Sequence, residues 1–188
     1  MTFPPPQPDT DLLIRPAQSL DREGIWRLLS PVLRKAETYA LPRHWGRRQA
    51  LAYWMDVEHR VYVAQTRDHE IVGTFYLQAN QKGGGAHIAN AGFVARSGFG
   101  AGRLMAEHAL REATKLGFRA MQFNFVVSTN LRAIALWKSL GFRVIGTLPG
   151  AFDHPSQGYV DALVMWKDLL PPALYQRIQP SLQASHPS

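Results

Sequence analysis

The sequence of 188 residues contains no cysteine. This absence excludes disulfide bonds, thiolate metal sites and a cysteine nucleophile. No apolar run approaches the roughly 18 to 20 residues that a membrane-spanning helix needs. The first residues, MTFPPPQPDTD, contain neither the basic segment nor the apolar segment of a secretory signal. We therefore expect a cytoplasmic protein with no membrane partner.

Acidic residues are in the minority. The sequence contains 14 Asp and Glu residues and 21 Lys and Arg residues, so its formal net charge is +7. Such an excess favours anionic partners. The basic residues are scattered, and the densest group is typical of a solvated helix face: Arg43, His44, Arg47 and Arg48. Charge alone does not separate nucleic acid from a phosphate-rich small ligand. No recognised nucleic-acid-binding motif is present, so we expect no nucleic-acid partner.

The length and a hydrophobic content of 46% indicate one globular domain with a sizeable core. Prolines concentrate near the N-terminus, and prolines and serines recur near the C-terminus. We predict a mobile N-terminal tail over residues 1–10, one domain over 11–170, and a peripheral C-terminal tail over 171–188.

Hydrophobic periodicity predicts strands near residues 12–15, 61–64, 71–77, 86–94, 121–127, 144–148 and 159–166. Helices are predicted after Asp21 and over residues 47–55, 103–116 and 130–140. The order is β-α-α-β-β-β-α-β-α-β-β, which indicates a mixed α/β (α+β) fold with a mainly antiparallel start.

Finer features of these elements are also predicted. Pro16 should stop the first strand, and Pro31 should kink or interrupt the first helix near its end. In the strand over 121–127, strict alternation places Val126 on the face opposite Phe123. Helical spacing predicts that Leu116 belongs to a buried face together with Ala106, Ala109 and Ala113.

The most informative segment is a glycine loop, Ser97-Gly98-Phe99-Gly100-Ala101-Gly102, between a predicted strand and a predicted helix. A helix N-terminus presents unpaired N–H groups and the positive end of the helix dipole, so it attracts phosphate. Glycines without Cβ atoms let the backbone approach an anion closely. Arg96 and Arg103 flank the loop and are placed to add charge.

Other motifs do not fit this loop. A Walker A loop needs Gly-Lys-Ser/Thr where this chain has Gly102-Arg103-Leu104, and the dinucleotide fingerprint read from Gly100 ends on Met105. Neither His-Glu-x-x-His nor Gly-x-Ser-x-Gly occurs, so we expect no metal and no serine hydrolysis. Taken alone, the glycines also fit a plain tight turn.

The segment 93–104 resembles motif A of the GNAT acetyltransferases, and the segment from Asn130 to Phe142 resembles their motif B. The resemblance covers roughly residues 12–168. It implies a GNAT fold, with a central, mostly antiparallel twisted sheet flanked by about four helices, and an acetyl-CoA-dependent N-acetyltransferase with acetyl-CoA as cosubstrate. It further implies a possible homodimer and these cofactor-binding residues: Phe93, Val94, Ser97, Gly98, Phe99, Gly100, Ala101, Gly102, Arg103, Asn130 and Trp137.

Within the family, several short segments are similar to the fungal and bacterial enzymes that acetylate proline analogues such as azetidine-2-carboxylate. They are residues 76–80, 87–93, 122–124 and 128–130. This resemblance implies that Asn90 and Asn124, our catalytic and substrate-binding candidates, contact the acceptor amine. Both also lie in apolar strands, where an amide must find a partner, so two structural asparagines are the alternative.

The resemblance implies direct attack of an amine on the thioester in a ternary complex. A backbone N–H near Phe93 or Val94 is placed to stabilise the oxyanion, a contribution of typically ~3 kcal/mol. No spacing favours one general base among His87, His154, Asp153, Asp161 and Glu58.

Two residues depart from the family pattern. Ser97 replaces the usual Arg or Gln, and Trp137 replaces the tyrosine that often protonates the leaving thiolate. An indole N–H is not a usable acid, and Trp137 also fits a core position. A catalytically inactive acyl-CoA-binding module therefore stays open, as does an enzyme that acetylates a protein or peptide.

Overall fold

A seven-stranded sheet with the order β1-β2-β3-β4-β5-β7-β6 organises the chain in a computed structural model that describes residues 12–170. The strands are β1 Leu13–Pro16, β2 Arg60–Gln65, β3 Ile71–Ala79, β4 Ile88–Ala95, β5 Ala120–Val127, β6 Arg143–His154 and β7 Gly158–Asp168. The helices are α1 Arg22–Lys35, α2 Arg47–Trp54, α3 Ala101–Lys115 and α4 Leu131–Ser139. The tails predicted over 1–10 and 171–188 lie outside the described residues.

The pairing confirms the predicted element order and the mostly antiparallel sheet. Only β4 and β5 are parallel neighbours, and every other neighbouring pair is antiparallel. Two short 3-10 helices, Ser19–Asp21 and Gly83–Gly85, complete the described elements.

Two hydrophobic cores cover the two faces of the sheet. In β3, Phe75 and Leu77 belong to the core that contains the buried residues of α3, whereas Tyr76 belongs to the core beneath α1 and α2. Successive strand residues point to opposite faces, so one strand supplies both cores. The largest side chain in the second core is Trp54, which is fully buried.

Pro16 is the last residue of β1 and pairs with Tyr62, so the strand ends at this proline as predicted. Two other predicted details are wrong. Pro31 does not interrupt α1, which continues to Lys35 with Leu33 buried beyond the proline, whereas the alternative of a kink stays a prediction. Leu116 is 37% exposed because α3 ends at Lys115 and Gly117 then takes a left-handed conformation.

The sheet opens between β4 and β5, and this opening positions the functional site. Their parallel register contains only Ile88↔Ala120 and Ala89↔Met121, after which the strands separate. The register of β5 against β7 also shifts between Phe123 and Val126. The shift interrupts the alternation, so Val126 is buried in the same core as Phe123, contrary to the prediction.

Candidate active site

A cavity of about 560 Å³, here called the cleft cavity, lies where β4 and β5 diverge. The segment after α1 contributes residues 38–41, and α4 contributes Ala133 and Trp137. Asn90 of β4 and Asn124 of β5 both line it, so the structure brings the two predicted acceptor residues together.

A second cavity of about 360 Å³, here called the loop cavity, lies at the glycine loop. It is lined by Gly100, Ala101, Gly102 and Arg103 among others. The two cavities adjoin, because both are lined by Phe93, Ala95, Ser97, Asn130, Ala133 and Trp137. A ligand can therefore reach from the loop to the divergence of the strands.

Backbone conformation explains two of the loop glycines. Gly98 and Gly100 have φ values of 94° and 67°, in the left-handed region that favours glycine. Gly100 is the N-cap of α3, and no side chain caps that helix. The first N–H groups of α3 therefore have no partner within the helix, and they lie at the loop cavity.

Ladder geometry determines which N–H groups of β4 face the cleft. Asn80 N–H donates to Ile88 O, and Arg96 N–H donates to Val72 O. Hydrogen-bonding direction alternates along an antiparallel strand, so the even-numbered residues of β4 bond to β3. The N–H of Phe93 therefore points toward the diverged β5, whereas that of Val94 points toward β3.

Asn90 and Asn124 both make hydrogen bonds within the protein. Asn90 Nδ2 donates to Gln122 O at 2.8 Å, immediately beyond the last register pair of β4 and β5. Asn124 Nδ2 donates to Asn80 Oδ1 at 2.6 Å, and Asn124 Oδ1 accepts from Gln122 Nε2 at 2.8 Å. Asn90 thus links β4 to β5 at the point where the two strands separate. The side-chain amides of Asn90 and Asn124 each have a second N–H that these bonds do not use.

Asn130 and Trp137 lie on α4 at the junction of the cavities. Asn130 caps α4, because its Oδ1 accepts the N–H of Ala133 at 3.2 Å. Trp137 is buried among Phe93, Phe123 and Phe142. Trp137 also lines both cavities.

Arg96 and Arg103 both line the loop cavity, and both also make contacts within the protein. Arg96 makes a bidentate ion pair with Glu70 at 2.6 and 2.7 Å and lies 4.4 Å from the Phe99 ring, so its charge is already matched. Arg103 Nη2 donates to Ser139 Oγ at 2.7 Å. Gly98 and Phe99 line neither cavity.

Sequence reasoning missed Arg132, which lines the loop cavity from α4. Its Nη1 lies 3.4 Å from Ser97 Oγ, and no described carboxylate forms an ion pair with it. Its place in the motif B segment, two residues after Asn130, was the available signal.

Sequence reasoning also missed three tyrosines that line the cleft cavity: Tyr39, Tyr53 and Tyr76. Burial raises the pKa of both Tyr76 and Tyr39, and the neighbouring Tyr53 hydroxyl adds to both effects. The tyrosines come from a loop, a helix and a strand, so no local pattern joins them.

None of the five candidate bases lines the cleft cavity. Glu58 forms an ion pair with Lys82, Asp161 accepts the N–H of Gly150, and the Nδ1 of His154 faces Ser156. Among the described lining residues, only the three tyrosines can ionise.

Comparison with known proteins gives a consistent picture. A model of the acetyltransferase (GNAT) family matches residues 24–142, more than half of the chain. N-acetyltransferase aca1 of Schizosaccharomyces pombe is 36% identical over 98 residues, which cover 50% of this chain and 47% of that protein. The match therefore spans about half the length of this curated relative.

Solved structures share the fold. A GCN5-related N-acetyltransferase from Kribbella flavida is 39% identical with a TM-score of 0.80, and the match covers 84% of this chain and 97% of that one. A phosphinothricin acetyltransferase from Sinorhizobium meliloti, solved in complex with AcCoA, has a TM-score of 0.71 at 19% identity, and the match covers 84% of this chain and 88% of that one.

The helices described between residues 12 and 170 include none with the length and apolar character that a bilayer span requires.

Proposed function

The chain belongs to the GNAT family of acetyltransferases, and on that basis we propose that it moves an acetyl group from acetyl-CoA to the amine of a small molecule. Its place in the family makes it an acetyl-CoA-dependent acyltransferase. The finer proposal concerns the acceptor, which we take to be a proline analogue or another amino acid.

The observation that carries the proposal is the junction of the two cavities. The uncapped N-terminus of α3 opens into the loop cavity, and Asn130 and Trp137 connect that space to Asn90 and Asn124. A diphosphate suits the N–H groups and dipole of a helix N-terminus. Bound there, acetyl-CoA would extend its thioester along β4 toward the two asparagines.

The reaction needs a neutral amine whose nitrogen forms a bond to the acetyl carbon while the carbon–sulfur bond breaks. Phe93 supplies the N–H that faces the cleft and would donate to the developing oxyanion, an effect of typically ~3 kcal/mol. Holding amine and thioester together contributes ~7 kcal/mol or more. Together these effects can supply much of the rate acceleration.

Two protons must also move in this mechanism. The amine loses one, and water entering the cleft is the acceptor that we propose, because the described lining holds no carboxylate or imidazole. The thiolate of CoA gains a proton from solvent. Trp137 stands where a family tyrosine is expected and lines both cavities, and an indole N–H can donate a hydrogen bond to the sulfur without giving up the proton.

The proposal is tested by a thermal-shift titration with acetyl-CoA and by a turnover screen over cyclic imino acids, amino acids, polyamines and peptides. We expect acetyl-CoA to raise the melting temperature and the screen to release free thiol. Gly100→Val should abolish the shift, because a β-branched residue is strained at φ 67° and distorts the cap of α3.

The control is Gly158→Val, which introduces the same β-branched residue at a glycine with φ 70° that lines neither cavity. No shift with the wild-type protein at millimolar acetyl-CoA would contradict the proposal. Binding without turnover of any amine would favour the inactive acyl-CoA-binding module. A cytoplasmic location and a homodimer stay predictions.

A further inference from the structure

The end of the cleft cavity near α1 and α2 has an unusual lining. Tyr39 comes from the segment after α1, Tyr53 from α2 and Tyr76 from β3, and amides of Gln78 and Asn90 lie beside them. No Asp, Glu, His, Lys or Arg among the described residues lines the cavity. The chamber therefore offers several neutral hydrogen-bonding groups and no fixed charge.

The three tyrosines lie side by side, and we call them the tyrosine chain. The hydroxyl oxygens of Tyr53 and Tyr76 are hydrogen-bonded at 3.3 Å, and the Tyr39 hydroxyl and the Tyr76 ring both border the space in front of Gly92. The bond between Tyr53 and Tyr76 uses one of the three hydroxyl protons, so two protons remain for an outside acceptor. Linked hydroxyls polarise one another, which strengthens the remaining donor of the linked pair.

Gly92 of β4 allows the tyrosine chain to reach the strand. A Cβ at residue 92 would lie 2.5 Å from a ring carbon of Tyr76 and closer still to the Tyr39 hydroxyl. The φ of Gly92 is not positive, so this contact, and not the backbone conformation, requires glycine. The Tyr39 hydroxyl and the Tyr76 ring therefore border the residue that precedes Phe93, whose N–H faces the cleft.

This end of the cleft cavity is better suited to bind a carboxylate of the acceptor than a second positively charged group of the acceptor. A buried carboxylate is stabilised when hydroxyl and amide donors bond to it, whereas a buried ammonium needs an acceptor set or a counter-charge. The lining supplies no counter-charge, and the net charge of +7 disfavours approach of polycations.

We propose that the tyrosine chain, seated on Gly92, determines acceptor specificity by binding a carboxylate next to the acceptor amine and by excluding acceptors with a second positive charge. This inference rests on the proposed function. It predicts that amino and imino acids are acetylated, and that diamines, polyamines and lysine-like side chains are not.

The test measures kcat/KM by thiol release with the full chain and matched acceptors: cyclic imino acids, their carboxamides and putrescine. The wild-type protein should favour the carboxylate acceptors by about tenfold or more. Tyr39→Phe should lower kcat/KM for the carboxylate about tenfold, mostly through KM, because one donor to a charged group is lost. The carboxamide and the KM of acetyl-CoA should change little.

Gly92→Ala is the second variant, since its methyl group should displace the Tyr39 hydroxyl without removing it, and we expect the same selective loss. Tyr62→Phe is the matched control, because the Tyr62 hydroxyl bonds to Glu112 at 3.4 Å and lines neither cavity. Melting temperatures of all variants, measured with and without acetyl-CoA, show whether each variant folds and binds the cosubstrate.

Three results would overturn the specificity proposal: a wild-type preference for putrescine, equal losses on carboxylate and carboxamide, or full selectivity in Gly92→Ala. Acetylation of other amines, but of no carboxylate-bearing monoamine, would overturn it as well. Failure of the proposed function looks different, because acetyl-CoA would then not stabilise the wild-type protein, or no amine of any class would be acetylated.

Discussion

At the scale of single residues, Asn124 has two roles that one pair of variants can separate. Its side chain is exposed and bonds to Asn80 and Gln122, and it also lines the cleft cavity. Asn124→Ala should cost less than about 1 kcal/mol of unfolding free energy, because the lost bonds are exposed to water. We expect it to lower kcat/KM by more than about tenfold.

The control is Asn80→Ala, which removes the same 2.6 Å hydrogen bond from a residue outside the cavity lining. This variant should keep near wild-type turnover. Equal loss of turnover in both variants would show that the hydrogen bond itself matters, and would identify Asn124 as a structural asparagine.

Arg132 is the second residue with a clear expectation. It lines the loop cavity beside Ser97, where the family pattern has an Arg or Gln, so its guanidinium is placed to supply the charge that the loop lacks. Arg132→Gln should weaken CoA binding about tenfold and reduce the salt dependence of binding, because one charge-assisted hydrogen bond to phosphate is lost. Calorimetry over a range of salt concentrations would measure both effects.

Arg111→Gln provides the comparison, because Arg111 is exposed on α3 and lines neither cavity. Pantetheine, which has no diphosphate, should bind Arg132→Gln and the wild-type protein equally. A matching loss of affinity for pantetheine would show that Arg132 shapes the cavity and does not bind phosphate.

At the scale of elements, a partly buried ion pair joins β1 to the start of α1. Arg15 donates to both carboxylate oxygens of Asp21 at 2.7 and 2.8 Å, and the backbone N–H of Gln18 donates to the same carboxylate at 2.7 Å. The hydrogen bond from Arg15 holds the pKa of Asp21 below its ordinary value. The ionised form is therefore the form that the fold stabilises.

Asp21→Asn should lower the free energy of unfolding by about 1 to 3 kcal/mol at pH 7, because Arg15 loses its charged partner. A carboxylate with a lowered folded pKa contributes stability above its unfolded pKa of about 3.9, and that contribution is lost as the pH falls through the folded pKa. Urea unfolding should therefore show that the difference in unfolding free energy between Asp21→Asn and the wild-type protein becomes smaller below about pH 4.

Glu23→Gln is the matched control, since Glu23 is half exposed and its ion pairs with Arg27 and Arg47 lie at the surface. We expect a change of no more than about 0.5 kcal/mol. If the difference in unfolding free energy between Asp21→Asn and the wild-type protein stays constant down to pH 2, the assigned role of the carboxylate is contradicted.

At the scale of the whole molecule, none of the described residues that line the cleft cavity is an acid, a histidine, a lysine or an arginine. Tyrosines are the only ionisable side chains in its described lining, and burial raises the pKa of Tyr39 and Tyr76, so these hydroxyls stay protonated. Between about pH 6 and 9 the log of kcat/KM should rise with unit slope until the pH reaches the pKa of the acceptor amine.

Two acceptors whose amines differ in pKa by about two units would check this, because the break in the pH profile should move with the acceptor. A break that stays at one pH for both acceptors would reveal a general base of the protein. Tyr159→Phe, at an 80% exposed tyrosine, should leave the profile unchanged.

Several features followed from the sequence alone because their causes are local. Alternating and helical hydrophobic periodicities predicted the order of the strands and helices, and the glycine loop predicted where helix α3 begins. The short motifs around Phe93 and Asn130 identified the family, and the matched family model bears this out. Asn90, Asn124 and Trp137 were also identified, and all three line the cleft cavity, although their roles stay predictions.

Only the tertiary structure decided what depends on contacts between distant segments. Strict alternation predicted the wrong face for Val126, since the register shift arises from pairing between β5 and β7. The tyrosine chain packs against Gly92 and so brings together residues 39, 53, 76 and 92, which no sequence spacing connects. Periodicity reports which face a residue presents, whereas a binding site forms where separate elements converge, and that convergence is fixed by packing.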